Sequence, residues 1–233
     1  MANKGEVRNI IVGAAQVFIS KGDSQTAAQA NYKKVMPVFG TAATATFLES
    51  APTVDDWRNV GFTSEGFEIS YEPTYGEVEV DQLLDSARIF KTQLRVMLRT
   101  SMSEGTLENV RVAFGQDNNS QVGTVFVNDA GSSAVATAYG AVAGNNVLKL
   151  SAGALGEAPV ERSLIAVGPG PTTVLNPSKT ERVYLARRVL SMETVSHSLQ
   201  RNEATVYPVT FRCLPDDNFT GAEYGEILDR VYS

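Results

Sequence analysis

The amino-acid sequence predicts a mainly β protein, an antiparallel β-sandwich or barrel with one flanking α-helix. Three stretches, which begin near Phe67, Leu94 and Tyr207, alternate apolar and polar residues with a period of two. This alternation is typical of strands that bury one face. A further stretch, 101–115, changes to helical spacing. With 233 residues, 43% of them hydrophobic, the chain can bury one sizeable core, and we predict a single domain over 1–233.

The first half of the chain contains a predicted hairpin. A strand or a pair of strands is predicted over Arg8–Ser20 because of its two apolar runs. Apolar and polar residues alternate in Phe67–Tyr71, and Pro73–Gly76 then has the composition of a turn. Val78–Val80 resumes the alternation, so the hairpin is predicted to turn at Pro73–Gly76. A longer strand is predicted from Arg88 to about Thr100.

The predicted helix follows that longer strand. Ser101 and Glu104 have the spacing of a capping box, Thr106 is an alternative N-cap, and Gly115 is well placed to end the helix. Such a helix would have roughly three turns. Its apolar positions share one face: Leu107, Val110 and Phe114.

The second half of the chain is predicted to contain further strands and a terminal helix. A strand is predicted over Val160–Val167 and is ended by Gly168–Pro171. The last strand pair is predicted at Val183–Leu199 and Thr205–Leu214. The tail, Ala222–Ser233, is predicted to form a short final helix.

Two segments are predicted to lie outside the regular sheet. A weakly periodic stretch at about 21–56 predicts a long loop, and loops of that length are usually functional or flexible. At about 116–156 the composition shifts to Asn, Gly, Ala and Ser, which predicts an exposed insertion.

The composition argues against several classes of function. A net charge of -6 disfavours a protein that grips nucleic acid, because phosphate binding needs clustered Lys and Arg. The single cysteine, Cys213, allows no intrachain disulfide and is interpreted as a small buried thiol in a strand. No stretch is apolar enough to cross a membrane, and the first residues lack the apolar core of a signal peptide. We therefore expect the protein to be made and kept in a cytoplasm.

The sequence offers few residues that could carry out catalysis. The single histidine, His197, lies in a predicted strand between two serines that would point to the opposite face, so we interpret it as a strand or interface residue. One His and one Cys cannot supply a zinc site. We predict a protein that is not an enzyme and has no metal or other cofactor.

Charge is segregated along the predicted hairpin. An acidic run without Lys or Arg, Glu65 to Asp85, precedes a basic run, Arg88 to Arg99. Three interpretations remain open: a solvated sheet face, a charge-complementary contact between subunits, or an oxygen-ligand cation site or carboxylate pair. The candidate subunit-contact or lumen charges are Glu72, Glu77, Glu79, Asp81, Arg88, Lys91, Arg95 and Arg99.

Several segments together resemble the major tail proteins, or tail tube proteins, of tailed bacteriophages. The similar segments are Val60–Ile69, Tyr71–Gln82, Ser103–Val110, Arg182–Tyr184, Tyr207–Asp216 and Tyr224–Gly225, which cover about half of the chain. The order of elements also matches: a glycine turn, an acidic hairpin, a long strand, a short helix and a late strand pair. The insertion at about 116–156 is not part of that pattern.

The resemblance implies a fold, an assembly and a set of partners. The fold would be a sandwich or barrel of the phage tail tube type, and hexameric rings of the chain would stack into a tube that conducts the genome into the host. The partners would be further copies of the chain, the tape measure protein, the tail terminator and distal tail proteins, with transient passage of double-stranded DNA and no specific binding. The chain would be assembled in the bacterial host cytoplasm and reside in the virion tail.

Other functions are compatible with the residues alone. A monomeric β-sandwich binding module, for carbohydrate for example, would present exposed aromatic side chains, for which Trp57, Tyr71 and Tyr75 are the candidates. A hydrolase that uses the carboxylate run is a third hypothesis. In the tail tube that the resemblance implies, an acidic face with Glu77, Glu79 and Asp81 that lined the bore would mildly repel DNA, which favours transit.

Overall fold

The computed structural model describes residues 11–20, 57–116, 159–171 and 180–231, except for 12, 80, 82–84, 200 and 203, together with the isolated residues 148, 150 and 155. The predicted long loop at about 21–56 and nearly all of the predicted insertion at about 116–156 lie outside the described residues.

The described part of the chain is one open antiparallel sheet with a single short helix. Its strands, in chain order, are β1 Gln16–Ser20, β2 Trp57–Asn59, β3 Thr63–Val78, β4 Arg88–Met102, β5 Arg162–Pro169, β6 Thr180–Ser191, β7 Tyr207–Leu214 and β8 Gly225–Val231, and the helix α1 is Leu107–Ala113. The strand order is β2-β1-β5-β6-β7-β4-β3, and β8 pairs with β6. The predicted mainly β, antiparallel class is confirmed, and the arrangement is consistent with a sandwich.

Three neighbouring strands, β1, β5 and β6, bury side chains on both faces. Val17 and Ile19 of β1 pack into the main core, whereas Phe18 between them packs into a second cluster on the opposite face. β5 divides in the same way, with Leu164 in the main core and Ile165 in the second cluster. Strands buried on both faces read as continuous apolar runs, which is why β1 and β5 lack the alternation of the other strands.

The alternation in β7 is confirmed by its burial. The four alternate residues of this strand face the main core: Tyr207, Val209, Phe211 and Cys213. Cys213 is the buried free thiol that the sequence predicts, and desolvation raises its pKa to about 12. The strand begins at Tyr207, two residues later than the predicted start at Thr205.

The predicted turn at Pro73–Gly76 is wrong, because β3 runs without interruption from Thr63 to Val78. Pro73 lies in the ladder opposite Leu94, and Gly76 lies opposite Phe90. A proline is tolerated there because β3 is at the edge of the sheet, where one side of the strand donates no ladder hydrogen bond. The connection between the two strands lies instead between Val78 and Arg88, where the Ala87 amide donates to the Val78 carbonyl at 2.8 Å.

The strands after the insertion also differ from the prediction. β6 ends at Ser191, so the predicted strand Val183–Leu199 is too long at its C-terminal end. The tail forms the strand β8 and not a helix. Its residues pair along β6 from Thr180 to Ala186, and this long-range partner decides the conformation of the tail.

The helix α1 forms where it is predicted but is shorter. It has seven residues, and its N-cap is Thr106, whose hydroxyl accepts a hydrogen bond from the Asn109 amide at 3.3 Å. Gly115 follows the C-cap with φ +63°, a left-handed conformation that favours glycine. The carboxylate of Glu104 does not close a capping box and accepts from the Phe62 amide at 3.1 Å.

The predicted apolar face of α1 is confirmed in part, because Val110 and Phe114 pack against the main core. The buried residues are Asn109, Val112 and Ala113, whereas Leu107 is exposed. The Asn109 amide group donates to the carbonyls of Val60 and Glu104, both at 2.9 Å. A polar side chain therefore joins the helix to the loop before β3, a role that a search for apolar periodicity cannot detect.

Candidate assembly surface

The hairpin of β3 and β4 extends beyond the rest of the sheet. β4 pairs with β3 along its whole length, but it pairs with β7 only from Met97 to Met102. From Arg88 to Val96, about 26 Å at the rise of a strand, β4 has β3 as its only partner strand among the described residues. We call this part of the hairpin, Tyr71–Val78 with Arg88–Val96, the distal ribbon.

One face of the hairpin is apolar and continues the face of the main core. Phe67 and Val96 pack against that core, and farther out on the same face Tyr71 is 60% exposed. A register shift between Thr74 and Tyr75 accommodates an extra residue in β4. Beyond this shift the exposed apolar side chains include Tyr75 and Ile89. The distal ribbon thus presents large apolar groups that its own sheet leaves uncovered.

The other face of the hairpin is charged, and its charges alternate in sign across the two strands. Glu68 lies directly opposite Arg99, and Glu72 lies directly opposite Arg95. Arg99 also donates from Nε to the Thr210 hydroxyl at 3.4 Å. The register therefore gives Glu72, Arg95 and Arg99 opposite charges within their own chain, a placement that the two charge runs alone do not reveal.

Lys91 belongs to the apolar face, because it pairs with Tyr75 across the ladder. Its ammonium donates to the hydroxyl of Tyr71 at 3.0 Å and lies 5.3 Å from the centre of the Tyr71 ring. This hydrogen bond raises the pKa of Lys91 above its usual value. The charge thus stands over an exposed aromatic ring, and no carboxylate among the described residues forms an ion pair with it.

The remaining predicted charges lie toward the tip of the hairpin. Glu77 is opposite Ile89, on the opposite face from Glu72, and its carboxylate accepts from the Ser86 hydroxyl. Arg88 is opposite Val78, the last residue of β3. Because β3 ends there, Glu79 and Asp81 are not on a strand. All of the predicted site charges are exposed.

His197 lies after the end of β6, outside any strand, so its predicted strand location is wrong. Its ring is 4.7 Å from the ring of Tyr207 and 6.1 Å from that of Phe114, measured between ring centres. A depression of about 240 Å³ beside it is lined by serines and Glu65. The Glu65 carboxylate accepts from the Ser101 hydroxyl at 2.7 Å, so this acid is already bonded to a serine.

β8 carries a set of ion pairs that the sequence prediction missed. Asp229 lies opposite Arg182 and accepts from its guanidinium at 2.7 Å, which lowers the pKa of Asp229. Arg230 lies opposite Glu181 and donates to it at 2.7 Å. The third charged residue of β8, Glu226, pairs with Arg187. The sequence prediction assigned the tail to a helix and therefore missed these pairs. They can be recognised only from the register of β8 against β6.

Reversing the charge of Arg95 and Arg99 to Glu tests whether the charged face meets a neighbouring subunit. Within the chain, each new carboxylate would face Glu72 or Glu68, and we expect each such pair to lower the free energy of unfolding by up to about 1 kcal/mol. If the face also contacts a neighbour, polymerisation should fall further than this stability loss explains. Thermal unfolding and the yield of polymer by sedimentation measure the two effects.

The matched control for that variant exchanges the charges. Adding Glu68→Arg and Glu72→Arg to the reversed pair restores opposite charges across the ladder and should restore the free energy of unfolding. Polymerisation that remains impaired in the exchanged variant would support a contact with a neighbour. Polymer yield equal to that of the unmodified chain in both variants would contradict such a contact and leave a solvated face.

Among the described residues, no group of three or more His, Cys, Asp or Glu side chains is placed to hold a metal ion. No helix in the described ranges is long and apolar enough to span a membrane. Comparison of the whole chain with known proteins finds neither a family model nor a curated protein that matches it.

Proposed function

We propose that this chain is a structural subunit of a bacteriophage tail tube, in which hexameric rings stack into a conduit for the genome. The observation that carries the proposal is the distal ribbon. A two-stranded ribbon is marginally stable by itself in water, and here it exposes Tyr71, Tyr75 and Ile89 on one face. Such an element is typical of a surface that another subunit covers.

The proposal includes the location and partners that the resemblance implies. The subunit would reside in the virion tail, with further copies of itself, the tape measure protein, the tail terminator and distal tail proteins as neighbours. Double-stranded DNA would pass without specific binding, which suits a chain with a net charge of -6. In the proposed tube, Glu77, Glu79 and Asp81 line the lumen.

A carbohydrate-binding module is the second candidate, and its aromatic platform is smaller than the sequence suggests. Trp57 is only 5% exposed and packs in the second apolar cluster, so it cannot stack on a sugar. Tyr71 and Tyr75 remain exposed, but Lys91 already lies over the ring of Tyr71. Two exposed tyrosines are weaker support for a binding module than the long exposed ribbon is for a subunit of an assembly.

Electron micrographs of the purified chain test the proposal. Negatively stained samples over a range of protein concentrations should show rings, and stacks of rings should become longer as concentration rises. Sedimentation of the same samples should shift from a monomer to a closed oligomer. A chain that stays monomeric at high concentration and forms no rings would contradict the proposal and favour the binding module.

A further inference from the structure

β8 is joined to the sheet without contributing to a core. All seven of its residues are described, and none of them is buried. Ile227 is 66% exposed, Leu228 is 37% exposed, and no residue of β8 belongs to either apolar cluster. In the described part of the chain, β6 is the only strand that pairs with it. Detachment of β8 would leave both clusters complete, so β8 should open at a lower free energy than a core strand does.

The edge of β6 beneath β8 carries buried charges. Glu181 is 5% exposed and Arg187 is 4% exposed. Arg230 of β8 donates to Glu181 at 2.7 Å, and Glu226 of β8 forms an ion pair with Arg187. The loss of a counter-charge costs more free energy at a buried charge than at an exposed one. This edge therefore favours a strand that supplies both counter-charges.

The charges also fix the register of the strand that occupies this edge. In the ladder, Glu181 lies opposite Arg230, and Arg182 lies opposite Asp229. A slip of one residue in one direction would place Glu181 opposite Asp229, and a slip in the other direction would place Arg182 opposite Arg230. Both slips set like charges against each other, which destabilises a ladder. The edge thus accepts a strand in which an acid is followed directly by a base.

A single segment of the sequence has the charge pattern of all three ion pairs. The pattern is an acid, two residues of any kind, then an acid and a base in succession, and within the sequence it occurs only at Glu226–Arg230. We infer that the edge of β6 from Thr180 to Ala186 is a strand-accepting site, and that β8 of a second copy of this chain can replace the chain's own β8 there. Main-chain hydrogen bonds would bind the strand, and the ion pairs would select it.

The exchange of β8 between two copies is reciprocal and needs neither a ring nor a tube. Each copy gives its β8 to the other, so both edges of β6 stay occupied and the product is a dimer. In the unmodified chain the attached β8 has the advantage of a high effective concentration. Exchange should therefore become measurable when the pairing of β8 within its own chain is weakened.

Two charge-exchanged variants weaken that pairing in complementary ways. The β8-exchanged variant carries Asp229→Arg and Arg230→Asp, and the β6-exchanged variant carries Glu181→Arg and Arg182→Glu, so each sets like charges opposite each other. Two fluorescent peptides of residues 224–233, one native and one with the β8 exchanges, are titrated with each chain and followed by anisotropy. The native peptide should bind the β8-exchanged variant at least about tenfold more tightly than the exchanged peptide does. The β6-exchanged variant should show the reverse preference, and the unmodified chain should bind both peptides weakly.

Full-length chains test the second copy as the occupant. At concentrations at which the unmodified chain is monomeric, a mixture of the two variants should sediment as dimers, and the chain with all four substitutions should stay monomeric. Equal binding of the two peptides to the β8-exchanged variant, or no binding of either, would overturn the strand-accepting site. Selective peptide binding without dimers in the mixture would overturn the second copy as its occupant. Circular dichroism verifies folding, and the β8-exchanged variant suffices for the peptide test because its changes lie on a strand without buried residues.

Discussion

Replacing Gly225 with alanine is expected to destabilise the protein by at least about 3 kcal/mol and to detach β8 from the sheet. Gly225 has φ +148°, in a region that side chains rarely adopt. A Cβ atom placed there would lie 1.9 Å from the carbonyl oxygen of Leu185. That oxygen belongs to the backbone of β6, so it cannot move aside without distortion of the sheet.

The matched control is Gly105→Ala. A Cβ atom at Gly105 would have as its nearest neighbour the hydroxyl of Tyr207 at 3.6 Å, an ordinary contact distance. This variant should therefore unfold close to the unmodified chain in urea, whereas Gly225→Ala should unfold at a much lower concentration. Circular dichroism follows both transitions, and equal midpoints would contradict the predicted clash.

Loss of β8 should also affect assembly. If β8 takes part in the contact between subunits of the proposed tube, Gly225→Ala should form no rings even under conditions in which most of the chain remains folded. Gly105→Ala should form rings as the unmodified chain does. Rings from a Gly225→Ala chain with β8 shown to be detached, for example by rapid exchange of its amide hydrogens, would exclude β8 from the subunit contact.

The strands that bury only one face could be predicted from the sequence. β7 and the long β4 follow their apolar alternation to within two residues of the predicted bounds. The continuity of β3 through Pro73 could not be predicted in this way. Pro73–Gly76 has the composition of a turn, and only the ladder with β4 keeps it extended. β8 was missed for the same reason, since its conformation depends on β6, far away in sequence.

The candidate surface was only partly visible in the sequence. The two charge runs identify the hairpin as unusual, but the position of its turn decides which charges face each other. With the turn after Val78, Glu72 lies opposite Arg95, and Glu77 lies on the other face beside apolar residues. Nothing in the local pattern reports this register, because it is set by long-range pairing.

Phe211→Ala and Phe62→Ala together separate the contribution of the core from that of the surface. Phe211 is 2% exposed in the middle of β7 and belongs to the main core, so its truncation should lower the free energy of unfolding by about 3–5 kcal/mol. Phe62, before β3, is 79% exposed, and its truncation should change that free energy by less than about 0.5 kcal/mol. Urea unfolding of both variants measures the difference.

The same pair of variants bears on assembly, because the chemical change is identical and only its place differs. Phe62 lies just before β3, at the end of the hairpin opposite its tip, and its aromatic ring is largely exposed. If subunits of the proposed tube cover this end of the hairpin, Phe62→Ala should reduce stacking of rings at unchanged stability. A Phe62→Ala chain as unstable as Phe211→Ala would mean that Phe62 is buried in the folded protein, and the assignment of this end as a surface would be wrong.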